Sequence, residues 1–166
     1  MDLYLVRHAI AQNRDPTKWP DDGKRPLTPE GEERFRRAAR GLRRIVPTVQ
    51  LVLASPFDRA WRTAELLREE TGWPKPEPAR AIEAGRSPTE GVELLRAHLH
   101  AESVALVGHE PNLSELASTL LTGNATRLAM DFKKGGVACL GLDELRRGSA
   151  ILRWFVSPKL LRSLAG

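Results

Sequence analysis

Three short apolar runs punctuate the first two thirds of the chain: Leu3-Tyr4-Leu5-Val6, Val49-Gln50-Leu51-Val52-Leu53-Ala54 and Val104-Ala105-Leu106-Val107. Each gives way to a polar segment and then to a helical pattern. Near-continuous apolar runs of this length read as strands covered on both faces, the pattern of a parallel sheet. Thr28 followed by Pro29 supplies an N-cap and a first helical residue, and that helix is predicted to run to about Val46, where Pro47 stops it. A second helix is predicted from about Asp58 to Thr71, with Gly72 as its C-terminal stop. Trp73 to Pro78 is proline-rich and extended. Ser87-Pro88-Thr89-Glu90 is a capping-box pattern opening a third helix with Val92, Leu94, Leu95 and Leu99 inward. A fourth is predicted from Asn112 to about Leu121, closed by Gly123. The last third changes character: Gly136 to Leu142 and Ala150 to Val156 are apolar runs joined by a charged turn, Asp143 to Gly148, and read as antiparallel strands. The order predicts an α/β protein, a three-layer sandwich with a mostly parallel central sheet, an antiparallel edge strand and helices on both faces.

At 166 residues and 18.5 kDa, one domain over 1–166 is expected. The 41% hydrophobic content suffices for a core. A net charge of +5 and a pI near 9.9 admit nucleic acid or acidic proteins as partners. Much of that charge lies in Arg34-Phe35-Arg36-Arg37 and Arg40-Gly41-Leu42-Arg43-Arg44, interleaved with Phe35, Ala38, Ala39, Leu42 and Ile45 at core spacing. A solvated outer helix face, partly balanced by Glu30, Glu32 and Glu33, accounts for it. No nucleic-acid motif accompanies it, and no nucleic-acid partner is expected. The single cysteine, Cys139, lies in the apolar run Val137-Ala138-Cys139-Leu140 and reads as a buried small hydrophobe. It has no internal disulfide partner, so a reducing compartment is allowed. The chain enters a strand at once, and no apolar run approaches the roughly 20 residues of a membrane span. Secretion and membrane anchoring are therefore not expected, and the cytoplasm is.

The candidate chemistry sits where the apolar runs end. Arg7 and His8 follow the first, and open α/β sheets place their chemistry at the carboxyl ends of strands. The second run leads through Ser55-Pro56 to Arg59 in the first turn of a helix, and the third through Gly108 to His109 before the next helix. An arginine presents a planar fork that matches phosphate oxygens, and histidine can carry a covalent phosphoryl group. Arg7, His8, Arg59 and His109 at corresponding strand ends would form a phosphate-binding pocket for a dianion. The helices beginning near Pro56 and Pro111 would turn their amino ends toward it. The polar stretch Ala11 to Pro26 reads as a loop over that pocket. His98 and His100 fall at a helix end where positive charge suits the dipole, and take no catalytic role. Arg62 and Arg68 read as surface helix residues. The four histidines are not at ligand spacing and no cysteine or carboxylate cluster joins them, so neither a metal nor a cofactor is expected.

These segments carry a resemblance. Arg7-His8-Ala9, Arg25-Pro26-Leu27-Thr28, Ser55-Pro56-Phe57-Asp58-Arg59-Ala60, Gly108-His109-Glu110-Pro111-Asn112-Leu113-Ser114 and Ser157-Pro158 together resemble the histidine phosphatase superfamily, also called phosphoglycerate mutase-like. More narrowly they are similar to its short bacterial phosphohistidine phosphatases of the SixA type. One departure is Ala9, where the broad superfamily has glycine. The resemblance implies a hydrolase in which His8 attacks phosphorus, Arg7 and Arg59 clamp the equatorial oxygens, and His109 completes the ring as a donor. It also implies a carboxylic acid for the leaving group, for which Glu83 in Ala81-Ile82-Glu83-Ala84-Gly85 is the nearest match. The leading expectation is removal of phosphate from histidine in a phosphorylated protein such as a phosphotransfer domain. No large insertion between the second helix and the third strand forms a lid. The alternatives are a phosphomonoesterase for a small phosphate ester (sugar, nucleotide or cofactor precursor) and a non-catalytic phosphate-binding module.

Overall fold

A computed structural model describes residues 1–166. Its central strand is β1 (Asp2–Arg7), and the period-2 alternation of that strand divides it between two cores. Tyr4 and Val6 face one apolar cluster, Leu3 and Leu5 the other. The remaining elements follow in the order α1 (Pro29–Ile45), β2 (Leu51–Ala54), α2 (Asp58–Thr71), β3 (Glu77–Pro78), α3 (Pro88–Arg96), β4 (Ser103–Gly108), α4 (Asn112–Thr122), β5 (Val137–Gly141), β6 (Ile151–Val156) and α5 (Pro158–Leu164). The sheet order is β3-β2-β4-β1-β5-β6. β1 to β4 run parallel, whereas β5 is antiparallel to both β1 and β6. α1, α2 and Leu161 of α5 cover one face; α3 and α4 cover the other. This is the three-layer α/β arrangement the patterning predicts. No helix is long and apolar enough to cross a membrane.

The predicted helix starts are built as their chemistry requires. Thr28 Oγ1 accepts from the Gly31 amide at 2.9 Å, and a side chain at Gly31 would press to 2.2 Å from the carbonyl oxygen of Ile10. Only glycine lets α1 approach the segment after β1 so closely. Ser87 and Glu90 exchange reciprocal side-chain and backbone bonds at the start of α3, a cap whose loss typically costs about 1 kcal/mol.

Three features depart from the pattern reading. α3 ends at Arg96, so Leu99 lies beyond it and is half exposed rather than inward. Ile45, the last residue of α1, is exposed rather than packed in the core. The short helix α5 and the two-residue strand β3 were not predicted. α5 buries only Leu161, and seven residues carry too little periodicity to declare a face.

Candidate active site

The topology itself assembles the site. β2, β4 and β1 are adjacent and parallel, so their carboxyl ends, Ala54, Gly108 and Arg7, share one edge. β5 runs the other way, with Val137 paired to Val6, and therefore brings the preceding segment Lys133-Lys134-Gly135-Gly136 to the same edge. The Gly135 amide donates to the carbonyls of both Arg7 and His8 at 3.0 Å. It does so with φ at 80°, a conformation that favours glycine. The backbone bearing Arg7 and His8 is thus pinned from the β5 side, while the His8 amide donates to Gly108 at 3.0 Å on the β4 side.

A cavity of about 230 Å³ at this edge brings Arg7, His8, Arg59 and His109 together. His8 is 5% exposed and its Nδ1 lies 2.7 Å from the carbonyl oxygen of Ala9. A carbonyl only accepts, so Nδ1 carries the proton and Nε2 keeps its lone pair. Burial first, then the neighbouring His109, holds the His8 pKa well below its ordinary value; the Ala9 bond opposes this, and Arg59 and Arg7 reinforce it. The ring is therefore neutral at pH 7. The His109 ring is centred 5.2 Å from it. Its Nε2 lies 2.8 Å from Ser55 Oγ. Ser55 Oγ already accepts from the Phe57 amide at 3.3 Å and has its own proton to give to that nitrogen. With Ser55 as that donor, His109 Nδ1 bears the hydrogen; this buried atom has no partner in the protein. Burial, followed by the charge of Arg59, lowers the His109 pKa to about 3, so that ring too is neutral at pH 7.

Arg7 Nε and Arg59 Nε are likewise buried without partners. Unsatisfied buried donors are rare because each costs about 1–3 kcal/mol. These three unpartnered atoms belong to residues that line one cavity. Arg7 is anchored by donation from Nη1 to the Phe132 carbonyl at 2.5 Å. Arg59 is held by Asp22, whose backbone oxygen and Oδ2 accept at 2.8 and 2.9 Å.

Asp22, Thr63 and Lys134 were not singled out in the sequence; Arg14 belongs to the polar stretch read as a loop over the pocket, and Arg25 and Glu110 stand in the motifs that carry the resemblance. The loop after β1 folds back so that Arg14, Asp22 and Arg25 join the pocket lining, with Lys134 arriving from the β5 side. Asp22 organises the arginines: Arg25 Nε donates to it at 2.8 Å, and Arg14 stands 3.9 Å away. The Arg25 bond, with the charges of Arg59 and Arg14 behind it, holds the Asp22 carboxyl below its usual range. Thr63 accepts from the Ala9 amide at 3.0 Å and donates to the Arg59 carbonyl at 2.6 Å, tying the segment after β1 to α2. No local pattern announces a loop residue or a mid-helix threonine of this kind, because the contact exists only after folding. Glu110 did carry a signal, adjacency to His109 at a strand end. It lines the pocket, and burial raises its pKa, while bonds from Ser114 oppose that rise. Glu83 lies elsewhere: its carboxylate is 3.5 Å from Arg86, and it is the neighbouring Ala84, not Glu83, that lines the cavity. Asn112 holds this loop by accepting from the Gly85 amide at 3.1 Å and donating to the Arg86 carbonyl.

A neutral histidine among cationic donors at the carboxyl edge of such a sheet defines a phosphate-handling α/β protein. Residues 3–91 match the model of the histidine phosphatase superfamily (branch 1), and the chain belongs to that superfamily. It is 27% identical over 164 residues to the phosphohistidine phosphatase SixA of Escherichia coli, covering 95% of this chain and 94% of that one. A solved structure of the protein histidine phosphatase SixA complexed with tungstate superposes with a TM-score of 0.83 at 26% identity, covering 97% of this chain and 99% of the other. The fold is also shared with a mycobacterial glucosyl-3-phosphoglycerate phosphatase, at a TM-score of 0.73, 16% identity and coverage of 95% and 98%. The protein is a phosphatase of this superfamily.

Proposed function

We propose that this phosphatase works without a metal and removes phosphate from phosphohistidine in a signalling or phosphotransfer protein. The observation that carries the reading is the tautomer of His8: Nδ1 is committed to Ala9, and Nε2 holds its lone pair inside a ring of cationic donors. The near full-length similarity to a phosphohistidine phosphatase supports the substrate class. Arg7, Arg59 and His109 clamp the phosphoryl oxygens and neutralise charge as it develops. Nε2 of His8 attacks phosphorus, a nitrogen–phosphorus bond forms, and the bond to the leaving nitrogen breaks. The imidazole departs already protonated on its other nitrogen, and water then attacks the phosphohistidine to release orthophosphate and restore His8. A passive phosphate-binding module has no use for a nucleophile held in this form. The donors around the cavity are guanidinium, ammonium and imidazole groups, and no three histidine, cysteine or carboxylate side chains are grouped as a metal cradle. The sole cysteine is buried and unpaired, which suits a reducing compartment such as the cytoplasm.

The deciding experiment compares phosphate release from a phosphohistidine-bearing protein with release from sugar, nucleotide and other small phosphate esters, each with and without chelator. The expected result is a kcat/KM at least tenfold higher on the phosphohistidine protein, with chelator making no difference. A small ester as the preferred substrate would make the protein a phosphomonoesterase. Activity lost to chelator and regained with a divalent ion would overturn metal independence.

The general acid is assigned to Glu110, with Glu83 the rival. An alkoxide must receive a proton as it leaves, a contribution of about 10²–10⁴ in rate, whereas imidazole can depart already protonated. Glu110→Gln should therefore slow single-turnover cleavage of alkyl phosphate esters by about 10² or more and phosphohistidine only slightly. Glu83→Gln should leave both nearly unchanged. The reverse pattern would move the role to Glu83, and an equal large loss on both substrates would make the acid obligatory.

A further inference from the structure

Beside the catalytic cavity lies a second, larger recess of about 600 Å³ that no step of the reaction uses. The antiparallel strands create it. β6 ends at Val156 opposite Val137, the first residue of β5, so Ser157 and the start of α5 emerge next to the segment 133–136. α1 closes the other side. Ala9, Ile10, Phe35 and Pro158 give the recess apolar lining, and Arg34, Lys133, Lys134, Lys159 and Arg162 give it cationic lining. No carboxylate lines it. Arg7 and Lys134 border both this groove and the catalytic cavity, so the two are contiguous.

The groove gathers cations and no carboxylate, whereas part of the basic surface elsewhere is laced with ion pairs. On the outer face of α1 and α2, Arg36, Arg40 and Arg62 are each paired with glutamates at 2.7–3.2 Å. In the groove, Lys134, Lys159 and Arg162 have no carboxylate within ion-pair distance. Arg34 and Lys133 do pair, but only with exposed Glu30 and Asp131. Like charges gathered without internal partners repel one another and weaken the fold unless an outside anion meets them. Burial and the nearby charges of Arg34 and Arg37 depress the Arg162 pKa, the electrostatic signature of that crowding.

We propose that this groove docks an acidic polypeptide segment of the phosphorylated partner, with carboxylates on the cationic side chains and apolar residues on the half-buried Ile10 and Pro158. The proposal rests on the protein-phosphohistidine reading and adds to it where the partner lies. A cavity of about 230 Å³ accommodates the phosphoryl group and its carrier ring, and the contiguous groove takes the flanking chain. Alternating acidic and apolar residues match a groove that combines an apolar lining with cations, whereas a fully hydrophilic polyanion leaves Ile10 and Pro158 unused.

The test uses a fluorescent ten-residue peptide of alternating acidic and leucine residues, without phosphate, and its counterpart with the acids changed to amides. Binding is measured by anisotropy to the whole protein in saturating phosphate. The acidic peptide should bind at least tenfold tighter than the amide peptide and weaken as salt is raised. In Lys159→Glu/Arg162→Glu that advantage should vanish, while hydrolysis of free phosphohistidine continues at the wild-type rate. Lys159→Gln/Arg162→Gln should fall between, and intact circular dichroism of each variant excludes unfolding. Equal binding of both peptides, or an unchanged affinity in the double variant, would overturn the proposal. So would a small bisphosphate that binds tighter than the peptide and loses that affinity in the same variant. Peptide binding does not depend on substrate identity: an acidic peptide bound by a protein that ignores phosphohistidine rejects the functional reading and keeps the groove. Phosphohistidine hydrolysis without peptide binding does the opposite.

Discussion

His8→Ala should lose turnover almost entirely, with kcat lowered by about 10⁴ or more, the scale seen when a covalent nucleophile is removed. The same variant should retain measurable affinity for orthophosphate, because Arg7, Arg59 and His109 reach the cavity from separate elements. Alanine leaves the backbone pinned by Gly135 and Gly108 in place, so the loss is chemical rather than structural. The check is a paired measurement: steady-state turnover, and phosphate binding by calorimetry. Turnover comparable to wild type would end the phosphoenzyme mechanism. The pH dependence sharpens the test. The folded-state pKa of His8 is depressed, so the nucleophile stays neutral as pH falls through the ordinary histidine range near 6.5. Acid loss of kcat/KM with a midpoint near 6.5 would therefore mean that His8 is more solvated than its burial indicates. The same shift acts on stability. Below about 6.5 the unfolded chain takes up a proton on His8 and on His109 that the folded protein does not. The stability contributed by keeping both rings neutral is full above that pH and falls as pH drops toward the folded values, about 3 for His109.

The parts of the site legible in the sequence are those fixed by a strand and its immediate continuation. Arg7, His8 and His109 stand within two residues of a strand end, and Arg59 is the second residue of α2. Apolar runs locate the strand ends, and parallel neighbours bring those ends to one edge, so pattern and topology suffice. Asp22 and Lys134 were opaque for the opposite reason. Asp22 reaches Arg59 across 37 residues through a loop that makes only one turn of 3₁₀ helix and a single bridge, Ala11 to Leu27. No periodicity constrains such a path. Lys134 depends on β5 reversing direction beside β1, and a pairing partner is a tertiary fact. The acid illustrates both limits. Glu83 was preferred through a family correspondence on a loop, where position is poorly determined, while Glu110, next to His109, follows directly from strand β4 and lies in the cavity.

Arg59→Ala should be the second most damaging change, lowering kcat/KM by about 10²–10³, the usual loss of one preorganised oxyanion donor. The reasoning is differential. In the proposed mechanism His8 makes and breaks the bond, whereas Arg59 shares with Arg7 and His109 the stabilisation of charge, so its removal would weaken a shared function. Two further consequences separate this role from simple packing. First, the carboxylate of Asp22 loses the group it accepts from at 2.9 Å and remains beside the cavity with only Arg25 and the more distant Arg14 to offset it, adding negative charge where a dianion must bind. Phosphate affinity should therefore fall along with rate, unlike the outcome for His8→Ala. Second, Arg59→Lys should recover little. An ammonium cannot accommodate the Asp22 backbone oxygen and carboxylate through one planar fork while presenting another donor to phosphate. Asp22→Asn in the Arg59→Ala background should restore part of the lost phosphate affinity by deleting the stranded charge, a coupling that a double-mutant cycle reads directly. If Arg59→Ala binds phosphate as tightly as wild type, or if Asp22→Asn has the same effect with and without Arg59, the arginine does not hold the anion, and the clamp must be reassigned to Arg7 and Arg25.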